Sequence, residues 1–266
     1  MPSVFIEELD AESYATMVAR EGSTIIIPTG ATEQHGPHMP LGVDAMLSRA
    51  IAGIVAEKIG ALVAPVFSYG YKSQPRSGGG NHRVGTTSLG AAALTGMVDD
   101  VVTSLIAQGF TNVVVLNGHF ENYQFIYEGL DNAVARARAT GSESRAVLLS
   151  YWDFVDEATL EKVFPDGFLG WDIEHGGVLE TSLMLLLHPQ KVDMTRVVDG
   201  MTGFSSRSMI GSATDQKIRP MPWPHAKSME YQANLLCSGL ALGPPRRTLP
   251  TLLIDSQRHI TTVKTE

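Results

Sequence analysis

Residues 24–44 read TIIIPTGATEQHGPHMPLGVD, an apolar run followed by a polar loop and the start of a second apolar pattern. The segment Thr24–Thr29 is rich in β-branched residues and is closed by proline and glycine, which is typical of a short buried strand. Over residues 44–59, apolar side chains recur at intervals of three and four, and Gly60 follows as at a helix end. The stretch therefore predicts a strand, a polar loop and a helix in succession.

The same alternation continues along the chain. Short apolar runs predict further strands at residues 61–67, 112–116 and 145–151, and helical spacing marks residues 88–108, 123–139 and 178–187. Such alternation is typical of a mostly parallel sheet with helices on both faces, so we predict an α/β fold with three layers, α/β/α. Ligands of such sheets bind beyond the carboxyl ends of the strands. Candidate functional residues are therefore expected in the loops that follow the strands.

The pattern weakens from about residue 195. Residues 227–242 retain helical spacing, whereas the tail from about residue 243 has no clear period. No internal repeat, low-complexity tract or linker interrupts the chain. We therefore predict a single domain over residues 1–266.

The composition narrows the class of protein. A formal net charge of −8 without a basic cluster argues against a nucleic-acid partner. No apolar stretch reaches the roughly 18 residues of a membrane span, and the acidic N-terminus does not resemble a secretory signal. The single cysteine, Cys237, excludes an intrachain disulfide and fits a reducing compartment. We expect a cytoplasmic protein with no membrane contact.

The polar loop after the first strand carries two carboxylates and an imidazole. Glu33 and His35 lie two residues apart, so on extended backbone both side chains point to one side. Asp44 follows nine residues after His35, at the start of the predicted helix. These side chains suit a zinc or manganese site. Asp44 is equally well placed to be a helix N-cap, so the spacing alone leaves both interpretations open.

A second cluster, LNGHFENYQ at residues 116–124, follows the third strand in the same way. His119 and Glu121 repeat the two-residue spacing, so two strands deliver a histidine and a carboxylate to one edge of the sheet. The five candidate metal ligands are Glu33, His35, Asp44, His119 and Glu121. Five are too many for one tetrahedral zinc with an open position. They fit two metal ions about 3.5–4 Å apart that share a carboxylate and a water.

The third cluster is GWDIEHGGVLETS, residues 170–182. His175 is a candidate metal ligand or proton donor, and a surface histidine is the simpler alternative. Glu180 fits either a functional site or the first turn of a helix, where a negative charge is stabilising. Trp171 and Trp152 fit either the core or the flat walls of a pocket for a flat ring. Asp172 and Glu174 complete the cluster as candidate substrate contacts.

A long loop at residues 69–88 contains the run SGGG but neither a phosphate-binding loop nor a dinucleotide fingerprint. Loops of this length in compact domains are frequently functional. We interpret it as an active-site loop, with Ser77, His82 and Tyr71 as its candidate pocket residues.

Taken together, these clusters resemble the creatininase family. The motifs GATEQHGPHMPLGVD (residues 30–44), LNGHFEN (116–122) and HGGVLETS (175–182) are similar to the signatures of the broad family. The stretches YGYKSQPRSGGGNH (69–82), SYWDFV (150–155) and GFLGWDIEHGG (167–177) are closer to its creatinine-hydrolysing members. The resemblance covers roughly residues 4–190. It implies an α/β/α layered fold, a homohexamer and two divalent metal ions per chain, zinc with manganese possible at one position.

The resemblance also assigns roles to residues. It implies that Glu33, Asp44 and His119 hold one metal, that His35, Asp44 and Glu121 hold the other, and that Asp44 bridges them. Trp152 and Trp171 correspond to two indoles that close over the substrate ring, His175 to a proton-shuttling histidine and Ser77 to a pocket serine. Glu121 is expected to help orient the nucleophile.

The implied reaction is reversible hydrolysis of the lactam ring of creatinine to creatine. Phe120 stands where the creatinine hydrolases of this family have a tyrosine, so another cyclic amide, such as a hydantoin or glycocyamidine, is the alternative substrate. A mononuclear iron oxygenase with two histidines and one carboxylate is a competing chemistry. A catalytically silent binding protein is a third possibility, but it requires a broken ligand set, and all five candidate ligands are present.

Overall fold

A computed structural model describes residues 3–165 and 167–197. The predicted helix at 227–242 and the tail from about 243 lie outside the described residues. The described elements are α1 (Ala11–Val18), β1 (Thr24–Thr29), α2 (Val43–Ile59), β2 (Leu62–Val63), α3 (Ala91–Ala107), β3 (Asn112–Asn117), α4 (Tyr123–Ala139), β4 (Arg145–Ser150), α5 (Glu157–Val163) and α6 (Val178–Leu187). Within this part of the chain, no helix has the length and apolar character to cross a membrane.

The four strands form one parallel sheet in the order β2-β1-β3-β4. From β1 the chain crosses to β2 on one side, then returns past β1 to β3 on the other side. The strand order therefore reverses between β1 and β3, which lie in register from Thr24 opposite Asn112 to Thr29 opposite Asn117. The crevice at such a reversal, beyond the carboxyl ends of the strands, is the usual ligand site of an open α/β sheet.

The two faces of the sheet bury separate apolar clusters, because successive strand residues point to opposite faces. Against α3 and α4 lie Ile25, Ile27, Val113 and Val115, together with Leu94, Val98, Val102, Ile126 and Leu130 of the helices. Against α2 and α6 lie Ile26, Val63 and Leu116, together with Leu47, Ile51, Leu179 and Leu183. The predicted three-layer α/β/α architecture is confirmed.

Several predicted boundaries were wrong for identifiable reasons. The strand predicted at 61–67 pairs only at Leu62–Val63, after which Phe67 meets Thr29 through an isolated bridge. The helix predicted at 88–108 begins at Ala91, after a glycine N-cap. The strand predicted at 145–151 ends at Ser150, because Tyr151 opens a 3₁₀ turn.

Two short helices, α1 and α5, were not predicted. Each follows an aspartate N-cap: the Asp10 carboxylate accepts hydrogen bonds from the backbone N–H groups of Glu12 and Ser13, and Asp156 accepts one from Thr159. With eight and seven residues they are too short to show a helical period in the sequence.

Two glycines bring the start of α2 against the ends of β1 and β3. A Cβ atom on Gly30 would lie 2.3 Å from the backbone nitrogen of Ala45, and one on Gly118 would lie 2.6 Å from the carbonyl oxygen of Asp44. A larger side chain at either position would therefore push α2 away from the sheet. This close approach places the side chain of Asp44 at the crevice between the two strands.

Candidate metal centre

The crevice holds four buried ionisable side chains that three different segments deliver. Glu33 and His35 come from the loop after β1, Asp44 from the first turn of α2 and His119 from the loop after β3. None of the four is more than 3% exposed. Burial of so many ionisable groups is costly unless they are paired or hold a cation.

The first group consists of Glu33, Asp44 and His119, each of which offers one ligand atom within 4.8 Å of the other two. Nδ1 of His119 lies 2.9 Å from Oε1 of Glu33 and 3.1 Å from Oδ2 of Asp44. Two carboxylate oxygens and one imidazole nitrogen are therefore directed at one point. This is the donor set that the resemblance assigns to one metal.

The second group consists of His35, Asp44 and Glu180, again within 4.8 Å. Nε2 of His35 lies 2.8 Å from Oδ1 of Asp44 and 3.6 Å from Oε1 of Glu180. Asp44 thus presents one oxygen to each group, which is the geometry of a bridging carboxylate. Glu180, in the first turn of α6, is the third member of this group. The resemblance instead predicts Glu121 beside His35 and Asp44.

The donor atoms fit divalent metal ions. Nδ1 of His35 lies 3.1 Å from the carbonyl oxygen of Glu33, and Nε2 of His119 lies 3.1 Å from that of Tyr71. Each carbonyl can accept the ring N–H, which leaves the opposite nitrogen facing the carboxylates, as in many histidine–metal sites. Oε2 of Glu33 is buried and has no hydrogen-bond partner among the described residues. A metal ion would satisfy this atom.

The charges of the site favour cations. Burial acts to lower the pKa of both His35 and His119, but the neighbouring carboxylates outweigh it and raise both pKa values well above the usual range. Burial acts to raise the pKa of Asp44, but the two histidines hold it well below the usual range. The same carboxylate field that retains protons on the imidazoles would attract metal ions in their place.

The geometry decides between the two interpretations of Asp44. Asp44 is not the N-cap of α2, because Gly42 occupies that position and the Asp44 side chain points at His35 and His119. Glu121 belongs to neither of the two groups, and its role as a metal ligand stays a prediction. Its Oε1 accepts a hydrogen bond from the backbone N–H of Gln74 at 2.9 Å, and its Oε2 lies 3.4 Å from Nε2 of His119.

His175 stands beside the two groups and is only 10% exposed, which argues against a surface histidine. Its Nε2 lies 2.7 Å from the carbonyl oxygen of Gln34, which can only accept a hydrogen bond. Nε2 therefore carries the proton, and Nδ1 faces Oε1 of Glu33 at 3.7 Å. One possible ligand atom from each of Glu33, His35 and His175 lies within 4.8 Å of the other two. Nδ1 of His175 is thus directed into the crevice.

Two indole rings stand over the crevice. Trp152 and Trp171 are nearly parallel, with ring centroids 6.2 Å apart and an interplanar angle of 26°. They share one cavity with the ligand groups, lined by Glu33, Asp44, Ser77, Gly118, His119, Phe120, Glu121, Tyr151, Trp152, Trp171, Asp172, Glu174, His175, Leu179 and Glu180. The cavity measures about 30 Å³. The indoles and the ligand groups therefore face one common space.

The remaining predicted substrate contacts all lie on this cavity. Phe120 is 45% exposed at its mouth, and the carboxylate of Asp172 forms a 3.1 Å ion pair with Arg76, next to Ser77. Burial, with the charge of Glu180, raises the pKa of Glu174 to about 8. Of the three loop residues proposed as pocket residues, only Ser77 lines the cavity.

The other two loop residues lie elsewhere. Tyr71 stacks on Phe125, and its carbonyl oxygen lies 3.1 Å from Nε2 of His119. The ring of His82 is not part of the cavity wall and lies in an exposed turn.

Sequence reasoning missed residues that hold the site together. Nδ2 of Asn117 donates to the carbonyl oxygen of His119 at 2.8 Å, and Nδ2 of Asn122 donates to that of Gly30 at 3.0 Å. Gln34 links the site to the glycine-rich loop, since its Nε2 donates to the carbonyl oxygen of Gly78 at 2.8 Å. All three residues lie inside the quoted motifs. Their amide side chains, which can donate hydrogen bonds to backbone carbonyl groups, were the feature of the sequence that could have identified them.

Comparisons with known proteins identify the family. A family model described as creatinine amidohydrolase matches residues 7–231. A creatinine amidohydrolase of Pseudomonas putida is 53% identical over 199 residues, which make up 74% of this chain and 76% of that protein.

Solved creatininases share the fold. A structure described as creatininase Mn has a TM-score of 0.75 and 44% identity, covering 90% of this chain and 96% of that one. A mutant of Zn-Zn type and a mutant complexed with creatine both have a TM-score of 0.76 and 43% identity. The aligned regions cover 91% and 90% of this chain, respectively, and 96% of the related chain in both cases. The predicted family is confirmed: this chain belongs to the creatininase family.

Proposed function

We propose that this protein opens the lactam ring of creatinine by hydrolysis to form creatine, in a reaction that also runs in reverse. The observation that carries the proposal is a carboxylate, Asp44, that is shared between two buried ligand groups and lines one cavity with two nearly parallel indoles. A similar protein named creatinine amidohydrolase and a creatininase structure complexed with creatine support the choice of substrate.

Two divalent metal ions would be held by Glu33, Asp44 and His119 and by His35, Asp44 and Glu180. We propose zinc, with manganese possible at one position, in line with related structures of Zn-Zn and Mn type. When bound, such a pair supplies an activated water at neutral pH and polarises a carbonyl oxygen.

Trp152 and Trp171 would bind the flat ring between their faces. Stacked carbon atoms approach to about 3.5–4.0 Å, so two such contacts need slightly more than the 6.2 Å that now separates the centroids. Closing the indoles over the ring would exclude bulk water and hold the amide carbon over the ligand groups. Ser77, Phe120, Asp172 and Glu174 would complete the contacts from the side of the cavity.

His175 would move the proton that the reaction requires. Water adds its oxygen to the carbonyl carbon, the bond from that carbon to the ring nitrogen breaks, and the nitrogen must receive a proton. Because Nε2 of His175 is held by the carbonyl oxygen of Gln34, Nδ1 is the nitrogen that would accept a proton from the attacking water and pass it to the ring nitrogen. Glu121, on the cavity wall beside His119, would orient the attacking water.

A related ring is the alternative substrate. Phe120 places an apolar ring at the cavity mouth and offers no hydroxyl group, which leaves a hydantoin or glycocyamidine as the competing ligand. Two ligand groups that share Asp44 do not favour a mononuclear iron oxygenase, and the intact ligand set does not favour a silent binding protein.

The resemblance also leads us to propose a cytoplasmic homohexamer. Light scattering of the purified protein would test the assembly, and six chains per particle is the expected result. A stable monomer would contradict it.

The experiment that tests the function compares turnover of creatinine, hydantoin and glycocyamidine by metal-loaded protein. We expect the highest kcat/KM with creatinine, measured as creatine released. A higher kcat/KM with another ring would support the same site but identify that ring as the substrate. Oxygen consumption with one iron per chain would contradict the hydrolytic chemistry altogether.

A further inference from the structure

Tyr151 is a buried residue of the cavity that no step of the reaction so far involves. It follows β4 directly and opens the 3₁₀ turn Tyr151–Phe154. Its side chain is 1% exposed, and it lines the same cavity as the two ligand groups. The ring therefore reaches from the apolar layer beneath α2 and α6 to the polar crevice.

The ring and the hydroxyl group of Tyr151 lie in different surroundings. Its ring packs edge-on against Trp152, with centroids 5.0 Å apart and an interplanar angle of 80°. Burial and the charges of nearby carboxylates act on its hydroxyl group, but no hydrogen bond from a described residue does. A buried tyrosine hydroxyl normally finds a partner, so an unpartnered one on the wall of a polar cavity points to a ligand.

The hydroxyl group can act only as a donor near neutral pH. An ordinary tyrosine has a pKa of about 10, and burial raises the pKa of Tyr151 above that value. The hydroxyl group therefore keeps its proton near pH 7. It can donate a hydrogen bond to an oxygen that gains negative charge, but it cannot serve as a base.

We propose that Tyr151 is a further catalytic residue, whose hydroxyl group donates a hydrogen bond to the carbonyl oxygen of the substrate as that oxygen becomes negatively charged. This inference rests on the proposed function. When the oxygen of water adds to the carbonyl carbon, the π electron pair moves to the carbonyl oxygen. The O–H bond of Tyr151 stays intact throughout, and the proton for the ring nitrogen comes from elsewhere. Placed donors of this kind stabilise such oxyanions strongly.

The competing role is support of the metal ligands. In that case the hydroxyl group would donate to the carboxylate of Asp44 or Glu180 in the loaded protein. Its loss would then lower metal affinity and activity together. Catalytic contact instead predicts a loss of turnover at unchanged metal content.

Tyr151→Phe tests the inference, because it removes one oxygen and keeps the ring that packs on Trp152. The matched control is Tyr127→Phe, on the exposed side of α4. We expect kcat of Tyr151→Phe to fall about 100-fold, the loss typical of one oxyanion donor, with KM within threefold. Metal content and the thermal unfolding midpoint should match those of the control.

A readout independent of turnover is creatine binding by calorimetry. The carboxylate of creatine places negative oxygens where the carbonyl oxygen would be, so its affinity for Tyr151→Phe should fall about tenfold. A kcat within threefold of wild type, or a loss of metal that accounts for the loss of activity, would overturn the inference. Absence of creatinine turnover by the wild type would instead contradict the proposed function. The two failures are therefore distinguishable.

Discussion

The floor and the rim of the cavity are built differently. We use "floor" for Glu33, His35, Asp44, His119 and Glu180, and "rim" for Ser77, Phe120, Trp152, Trp171 and Asp172. The floor residues are all buried and, except for Glu180, stand at the ends of β1 and β3 or on the helix start packed against them. The rim residues lie on loops and 3₁₀ turns, and Phe120 is 45% exposed.

This difference separates the chemistry from the choice of substrate. The floor is positioned by backbone: paired parallel strands, two close glycine contacts and carbonyl groups that hold the histidine rings. The rim is positioned by side chains that touch one another, such as the stacked indoles and the pair Arg76–Asp172. We therefore expect changes in the floor to remove metal, and changes in the rim to alter substrate affinity and turnover while metal stays bound.

Asp44→Asn should have the largest effect, because it removes the only charge that both ligand groups share. We expect metal content to fall from two ions per chain to less than one and creatine formation to become undetectable. Glu57→Gln, on the exposed side of the same helix, is the control and should retain both metals. The measurement is elemental analysis after dialysis, and two bound ions in Asp44→Asn would contradict the bridging role.

Glu180→Gln and Glu121→Gln test which of the two carboxylates holds a metal ion. Glu180→Gln should lower metal content to about one ion per chain. Glu121→Gln should retain two and lose about 100-fold in turnover, because general acid–base and orienting groups contribute about 10²–10⁴-fold. The same elemental analysis, paired with kcat, checks both variants. If Glu121→Gln loses metal and Glu180→Gln binds two ions, Glu121 rather than Glu180 is the third ligand, as the resemblance implies.

Trp171→Ala tests the rim. Removing one wall of the indole pair should lower kcat/KM with creatinine about 10- to 100-fold at unchanged metal content. Because the ring is only partly buried, the free energy of unfolding should change by less than about 2 kcal/mol. Urea unfolding and steady-state kinetics measure the two effects. A collapse of stability with intact kinetics in the folded fraction would assign Trp171 to the core.

Metal binding should depend on pH through the floor histidines. Nearby carboxylates raise the pKa of His35 and His119 well above their usual value despite burial, so both rings retain protons in the metal-free protein. Metal ions must displace these protons, and apparent affinity should therefore rise with pH across the neutral range, by up to about tenfold per pH unit for each proton released. Calorimetry at pH 7 in two buffers of different ionisation enthalpy counts the protons. No release would contradict the assignment.

Arg76→Ala should have the smallest effect. Its ion pair with Asp172 is exposed on the arginine side, and exposed pairs contribute about 0.2–1 kcal/mol. We expect KM to rise less than threefold and kcat to stay unchanged, with an effect that fades at high salt. Kinetics at low and high ionic strength measure it, and a large loss of metal would contradict the separation of rim from floor.

The sequence predicted the floor well because local rules govern it. Strands that end in parallel place their following residues at one edge, and the spacing of Glu33 to His35 and of His119 to Glu121 identified the two loops. The sequence left the role of Glu180 open, because its approach to His35 depends on the packing of α6 against α2. A carboxylate in the first turn of a helix has an ordinary explanation.

The rim could be predicted only through resemblance. No local rule brings Trp152 and Trp171 together, since they lie on separate turns and meet through the tertiary fold. Tyr151 was assigned to a strand that in fact ends one residue earlier, which concealed its place on the cavity wall. The short helices α1 and α5 were missed because capping, rather than periodicity, defines them.

The most direct test of the account is creatine formation from creatinine by chelator-treated protein during titration with zinc or manganese. The account predicts no turnover without metal and a rate that rises until two ions are bound per chain. If two metal ions bind and no creatine forms, the assignment of creatinine as the substrate is contradicted. A rate that saturates at one ion per chain would contradict the binuclear centre.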